Sequence, residues 1–218
     1  MTDRTTVRRI PEKQVRDRSV LDSILDAGRV AHVAVLEPAG ADGMTRQPYV
    51  VPVGYARDGD TVLFHGSTAS RLFRALADGA PTCLTVTLLD GLVAARSLFE
   101  SSMHYRSAMV LGAAVALAGE DRLPALMRLS EHLMPGRSVD ARHPSGKEIA
   151  ATLVLALPLT EWSVKVSDGP PDDLPEDLDR PVWAGVVPLR EVAGTPLDAP
   201  DLRSPHPVPA YVERWTLR

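Results

Sequence analysis

Cysteine is almost absent from this chain: Cys83 is the one cysteine among 218 residues. A single thiol excludes an internal disulfide and suits a reducing compartment, so a cytoplasmic location is expected. Cys83 sits in the apolar run PTCLTVTLL, the setting of a buried inert thiol rather than a nucleophile. Long apolar runs are missing too. None approaches the roughly 20 residues that a membrane-spanning helix needs, so no membrane partner is expected. The first residues, MTDRTTVRRIPEKQVRDR, contain no apolar stretch that a secretory signal would require. A basic excess is also lacking. The net charge of −4 gives no electrostatic footprint for nucleic acid, and none is expected as a partner.

Several catalytic signatures are absent. The six histidines, His32, His65, His104, His132, His143 and His206, form neither an HxxxH pair nor an HExxH helix, so no metal site is expected. GxSxG, which a serine hydrolase would want, does not occur, and neither does a P-loop or GxGxxG. The run DDLPEDLD lacks calcium-loop spacing and is expected to be a solvated acidic loop.

What remains is an ordinary globular composition, 44% apolar and 24% charged. The expected organisation is an N-terminal extension over 1–18, one domain over 19–190 and a proline-rich tail over 191–218. Ser19 to Gly28 has helical spacing, with Ser19 as N-cap and Gly28 as the C′ residue. Val30 to Leu36, Pro48 to Ala56 and Thr61 to His65 are rich in β-formers, and Asp58-Gly59 reads as a hairpin turn. Ala69 to Asp78 reads as a short helix ended by Gly79. Thr82 to Leu89 and Leu92 to Leu98 read as a second hairpin around Asp90-Gly91. Tyr105 to Leu117 reads as a bent or bulged strand at Gly112, and Asp121 to Met134 as a helix. Thr152 to Leu157, Trp162 to Val166 and Pro181 to Leu189 read as further strands. About eight consecutive strands with two or three helices predict antiparallel pairing in a closed or split barrel. The tail from Ala193 to Pro209 is expected to run extended over the surface.

The stretch HGSTASR, His65 to Arg71, lies where a strand gives way to a helix. Ser67, Thr68 and Ser70 offer hydroxyl donors, Arg71 a forked cation, and Gly66 close access to the backbone; together these suit a phosphate. Ser67 or Thr68 acting as a plain helix cap is the competing reading. Arg106, in SMHYRSAM, needs a partner if buried: a bound anion, Glu100 or Glu131. Arg96 raises the same question. Trp183 reads most simply as core, with stacking on a flat ring as its other use.

The series PYVVPVGY, DGDTVLFHGSTASR, SMHYRSAMVLG and PVWAGVVPL resembles the pyridoxamine 5′-phosphate oxidase-like flavin-binding proteins, in the branch that includes the nitroimidazole-resistance proteins. The resemblance implies a mainly β fold, an antiparallel split barrel with peripheral helices, and a homodimer with FMN at the interface. It implies that Ser67, Ser70 and Arg71 hold the phosphate with Gly66, and that backbone groups of Val51, Pro52 and Val53 meet the flavin's polar edge. Tyr105 and Arg106 would close the site, with Trp183 near the ring and His65 between phosphate and flavin. His65 is also the one candidate catalytic side chain. The implied activity is electron transfer from NAD(P)H to a small organic acceptor of nitroaromatic or quinone type. A non-catalytic flavin carrier or sensor is the alternative, as is a split barrel that uses F420 or haem. The tail HPVPAYVERWTLR lacks the arginine-and-histidine signature of true pyridoxamine phosphate oxidases.

Overall fold

A computed structural model describes residues 2–36, 47–203 and 206–217. The expected extended tail therefore includes Ser204 and Pro205, which lie outside the described residues. Ten strands and five α-helices are present among the described residues. In chain order they are β1 (Gln14–Val15), α1 (Arg18–Ala27), β2 (Val30–Leu36), β3 (Pro48–Asp58), β4 (Thr61–Ser67), α2 (Arg71–Ala77), β5 (Pro81–Ala94) and β6 (Ser102–Ala113). There follow β7 (Val115–Ala116), α3 (Arg122–Leu133), α4 (Gly146–Ala150), β8 (Thr152–Pro158), β9 (Glu161–Ser167), β10 (Gly185–Pro188) and α5 (Ala210–Glu213). No helix among the described residues is long and apolar enough to cross a membrane.

The strands form one antiparallel path, β1-β9-β6-β5-β2-β3-β4-β8-β7, with β10 paired to the far end of β5. The path curls into a split barrel whose sheet is not closed. Period-two alternation drives the curl. Ala31, Val33 and Val35 of β2 point inward and are buried, while Val30, His32 and Leu36 stay exposed. The inward set joins Leu84, Val86, Val110, Leu155, Leu157 and Val164 in the main core, which α1 plugs with Leu21, Ile24 and Leu25. A smaller core forms where α3 lays Ala125 and Leu129 on Ala56, Leu63, Val154 and Ala156.

Tyr55 ties α1 to the barrel. It is fully buried, and its hydroxyl donates to the Leu25 carbonyl at 2.7 Å. Burial drives the phenol pKa far up, so the hydroxyl is a permanent donor. Tyr55→Phe would leave that carbonyl unpaired in the interior and is expected to cost about 1–2 kcal/mol in denaturant unfolding.

Four expectations are corrected here. The Asp90-Gly91 pair is no turn: β5 runs through it as one long strand with a bulge between Leu89 and Gly91, because β6 keeps pairing on both sides. Helix α1 is capped by Asp17, whose carboxylate accepts from Ser19 N, and Gly28 is extended at φ −76 rather than left-handed. Glycine is required at 28 by crowding: a Cβ would stand 2.6 Å from the Tyr55 hydroxyl and from Val86. The third correction concerns the acidic loop, most of which is exposed as expected but in which two aspartates are tied down. Asp173 is 3% exposed on its side chain and accepts from Arg96 N at 2.6 Å and from the Arg96 guanidinium at 2.8 Å. Asp177 is buried beside Arg180. The fourth is the strand expected over Pro181 to Leu189, which shortens to β10.

Candidate functional site

The barrel opens along β3. This strand pairs with β2 from Pro48 to Gly54, and with β4 only from Tyr55 to Asp58. Beyond Phe64, β4 continues against β8 alone, through His65, Gly66 and Ser67. A gap therefore separates the Tyr49–Val53 edge of β3 from the His65–Ser67 edge of β4, and among the described residues no ladder spans it. Alternation sends Val51 and Val53 to the barrel side of β3, with Val53 against the core, while Pro52 faces out beside His32.

A side-chain contact bridges the gap. Arg71, at the start of α2, donates to the Tyr49 hydroxyl at 3.3 Å and lays its guanidinium 5.6 Å from the centre of the Tyr49 ring. Both side chains lie at the surface, so the clasp is weak and can yield to a stronger anionic partner. Tyr49 was not singled out in the sequence, although its alternation with Val51 and Val53 would have revealed it.

The capping reading of the hydroxyls is realised. Ser70 Oγ accepts from Phe73 N at 3.4 Å, and Ser67 Oγ accepts from Ala69 N at 3.1 Å. Each hydroxyl keeps its own O–H, and among the described residues neither donates it. The site therefore offers the hydroxyls and the Arg71 fork more than the N-terminus of a seven-residue helix. Gly66 serves packing rather than access, since a Cβ there would come within 2.4 Å of the Phe73 ring. His65 stands on the same face of β4 as Ser67 and stays open on one side. Loss of water on the other side pulls its imidazole below the usual value, which keeps it neutral.

The linkage follows from that direction. The unfolded chain takes up a proton near pH 6.5, ahead of the folded one. The contribution of His65 to stability is complete above that value and is lost as the pH falls through the depressed folded value. His65→Gln is therefore expected to flatten the decline in stability between about pH 7 and pH 5, measured by denaturant unfolding at each pH.

Tyr105, Arg106 and Trp183 are not brought to this gap within one chain. Val51 is in register with Val33, Leu84 and Val110 across the sheet. Arg106 lies four residues further along β6, which places it about 14 Å across and 13 Å along from Val51. Its partner within the chain is Asp90 in the bulge, at 2.8 and 2.9 Å, rather than Glu100 or Glu131. Arg106 in turn holds the Asp90 carboxyl below its ordinary range. Trp183 is 67% exposed and belongs to no core; its ring lies against Gly185, paired with the far end of β5.

The sequence profile of the pyridoxamine 5′-phosphate oxidase family matches residues 17–166. Among solved structures, the FAD and haem binding protein from Mycobacterium smegmatis is 44% identical, with 94% of this chain and 97% of that one covered at a TM-score of 0.87. The flavocytochrome Anf3 from Azotobacter vinelandii is 39% identical, with 98% and 97% covered at a TM-score of 0.88. A putative 5-nitroimidazole antibiotic resistance protein from Bacteroides thetaiotaomicron shares the fold at 22% identity, over 70% of this chain and 86% of that one, with a TM-score of 0.56. No curated protein matches the chain.

Proposed function

Since the chain belongs to the pyridoxamine 5′-phosphate oxidase family, we propose that it is a flavin- and haem-binding redox protein, working as a homodimer. The observation that carries the reading is likeness over nearly the whole chain, at 44% and 39% identity, to a FAD and haem binding protein and to a flavocytochrome. FAD is favoured over FMN for the same reason. Bound flavin would accept a hydride from a reduced nicotinamide, and bound haem would relay single electrons to a small acceptor.

The chain's own residues take the following parts. Arg71 leaves the Tyr49 ring to pair with the flavin phosphates, and the Ser67 and Ser70 hydroxyls donate to the same oxygens. The stretch of β3 from Val51 to Val53, which has no β4 partner, offers backbone groups around Pro52 to the polar rim of the ring. A second copy supplies the rest. The outer face of β2 and β3 carries Val30, Leu36 and Val50, each about half exposed, beside His32 and Pro52. A two-fold pairing of that face sets the gap end of one copy against the Arg106 end of the other, which brings together residues that a single chain keeps apart.

His65 is the imidazole left to ligate haem iron. His132 is held by the Gly28 carbonyl at 2.7 Å, His104 sits by the Asp90–Arg106 pair, His32 lies on the pairing face, and His143 and His206 are in exposed loops. His65 is neutral, the form that binds iron, on a strand paired through its whole length. The test is His65→Ala after reconstitution with haemin and FAD. The Soret band is expected to be lost while the flavin band stays. A Soret band equal to that of the parent would remove His65 as the ligand.

A further inference from the structure

The C-terminal arm takes no part in the functions above, yet it is built into the molecule. After β10 the segment Leu189 to Ala193 runs along one rim of a cleft of about 1310 Å³, and the chain returns to place Trp215 on the same cleft. The return is fixed at several points. The indole N–H of Trp215 donates to the Pro135 carbonyl at 3.0 Å, and the Tyr211 hydroxyl lies 2.7 and 2.8 Å from the two Asp140 oxygens. Arg137 donates to that hydroxyl at 2.9 Å, and the Tyr211 and Trp215 rings lie 5.6 Å apart. Gly136, at φ +86, has Tyr211 packed on it so closely that a Cβ would come within 2.9 Å of the side chain.

The cleft combines a flat ring, apolar walls and arginines. Leu89 of the bulged strand and Leu133 of α3 line it, with Arg29, Arg106 and Arg190. The acids present are largely answered. Asp26 carries a bidentate pair with Arg57 at 2.6 and 2.9 Å, and Asp90 one with Arg106 at 2.8 and 2.9 Å. Glu191 reaches Arg29 only at 3.6 Å, with both side chains open to solvent, which is a weak tie. Arg190 has no acidic partner among the described residues. A planar indole and guanidinium forks lining one cleft are the chemistry that stacks a nucleobase and pairs with phosphates.

We propose that this cleft binds a nucleoside diphosphate, with the base on Trp215 and the phosphates on Arg190 and Arg29, away from Arg71. Identifying the natural ligand as the ADP half of a nicotinamide donor rests on the proposed redox function; ADP binding itself does not. The experiment is calorimetric titration of the full-length protein with ADP, with adenosine, and with ADP in the presence of saturating FAD. ADP is expected to bind, adenosine to bind at least about tenfold more weakly, and Arg190→Ala and Trp215→Ala each to weaken ADP by about tenfold. FAD is expected to leave the ADP affinity unchanged, although Arg106 lines this cleft and faces the partner's gap in the proposed dimer. Arg190 is an exposed loop residue, so its variant keeps the fold even if loss of Trp215 frees the arm. No heat from ADP, equal binding of adenosine, competition between ADP and FAD, or full affinity in Arg190→Ala would each overturn the proposal.

Discussion

Replacing Val50 by aspartate is expected to turn a dimer into a monomer and to lower flavin affinity by more than about tenfold. Val50 is 59% exposed on the outer face of β3, opposite Ala34 of β2, so the single chain tolerates a charge there. In a two-fold interface the same position is buried twice. Each carboxylate would lose water with no cation opposite it, at a cost of several kcal/mol per charge. In the proposed dimer, loss of the partner would also cost flavin, because the Tyr105 and Arg106 end would reach the gap from the second copy. Light scattering gives the mass and flavin fluorescence the affinity. A Val50→Asp protein that stays dimeric would move the pairing surface elsewhere, and a parent that is monomeric at micromolar concentration would remove it.

Arg71→Ala is expected to weaken FAD by about 1.5–3 kcal/mol, or tenfold to a hundredfold, while riboflavin changes little. Among the described residues, the Arg71 guanidinium stands at the gap beside two donor-ready hydroxyls. Its contact with Tyr49 is to a neutral ring at the surface, weaker than a charge-assisted pair with the pyrophosphate. Riboflavin lacks the phosphate, so the two ligands separate charge recognition from ring packing. Equal losses for both would show that Arg71 shapes the cleft without reading the phosphate.

The sequence carries the barrel but not its wiring. Runs of β-formers announced β2 and β4, and Asp58-Gly59 announced a hairpin whose Gly59 does sit at φ +55. The same dipeptide at Asp90-Gly91 makes a bulge. The difference lies in β6 and β10, which pair along β5 on both sides of it and press the Val187 carbonyl to 3.1 Å from where a Gly91 Cβ would stand. No local pattern contains that contact. HGSTASR was legible as a cluster of donors, but its caps, its packing glycine and the Tyr49 clasp depend on where β3 parts from β4. Arg106 was legible as an arginine in need of a partner; that the partner is Asp90 follows from the bulge. Trp183 looked like core because it lies in an apolar run, and it is exposed because β10 is short and sits on a strand edge.

The most direct measurement is the visible spectrum of the full-length protein purified from cells supplied with a haem precursor, followed by acid extraction and chromatography of whatever it releases. A flavin band and a Soret band are expected together, with FAD in the extract and bleaching of the flavin band by NADH or NADPH. A colourless protein that takes up neither FAD nor haemin when both are offered would contradict the proposed function.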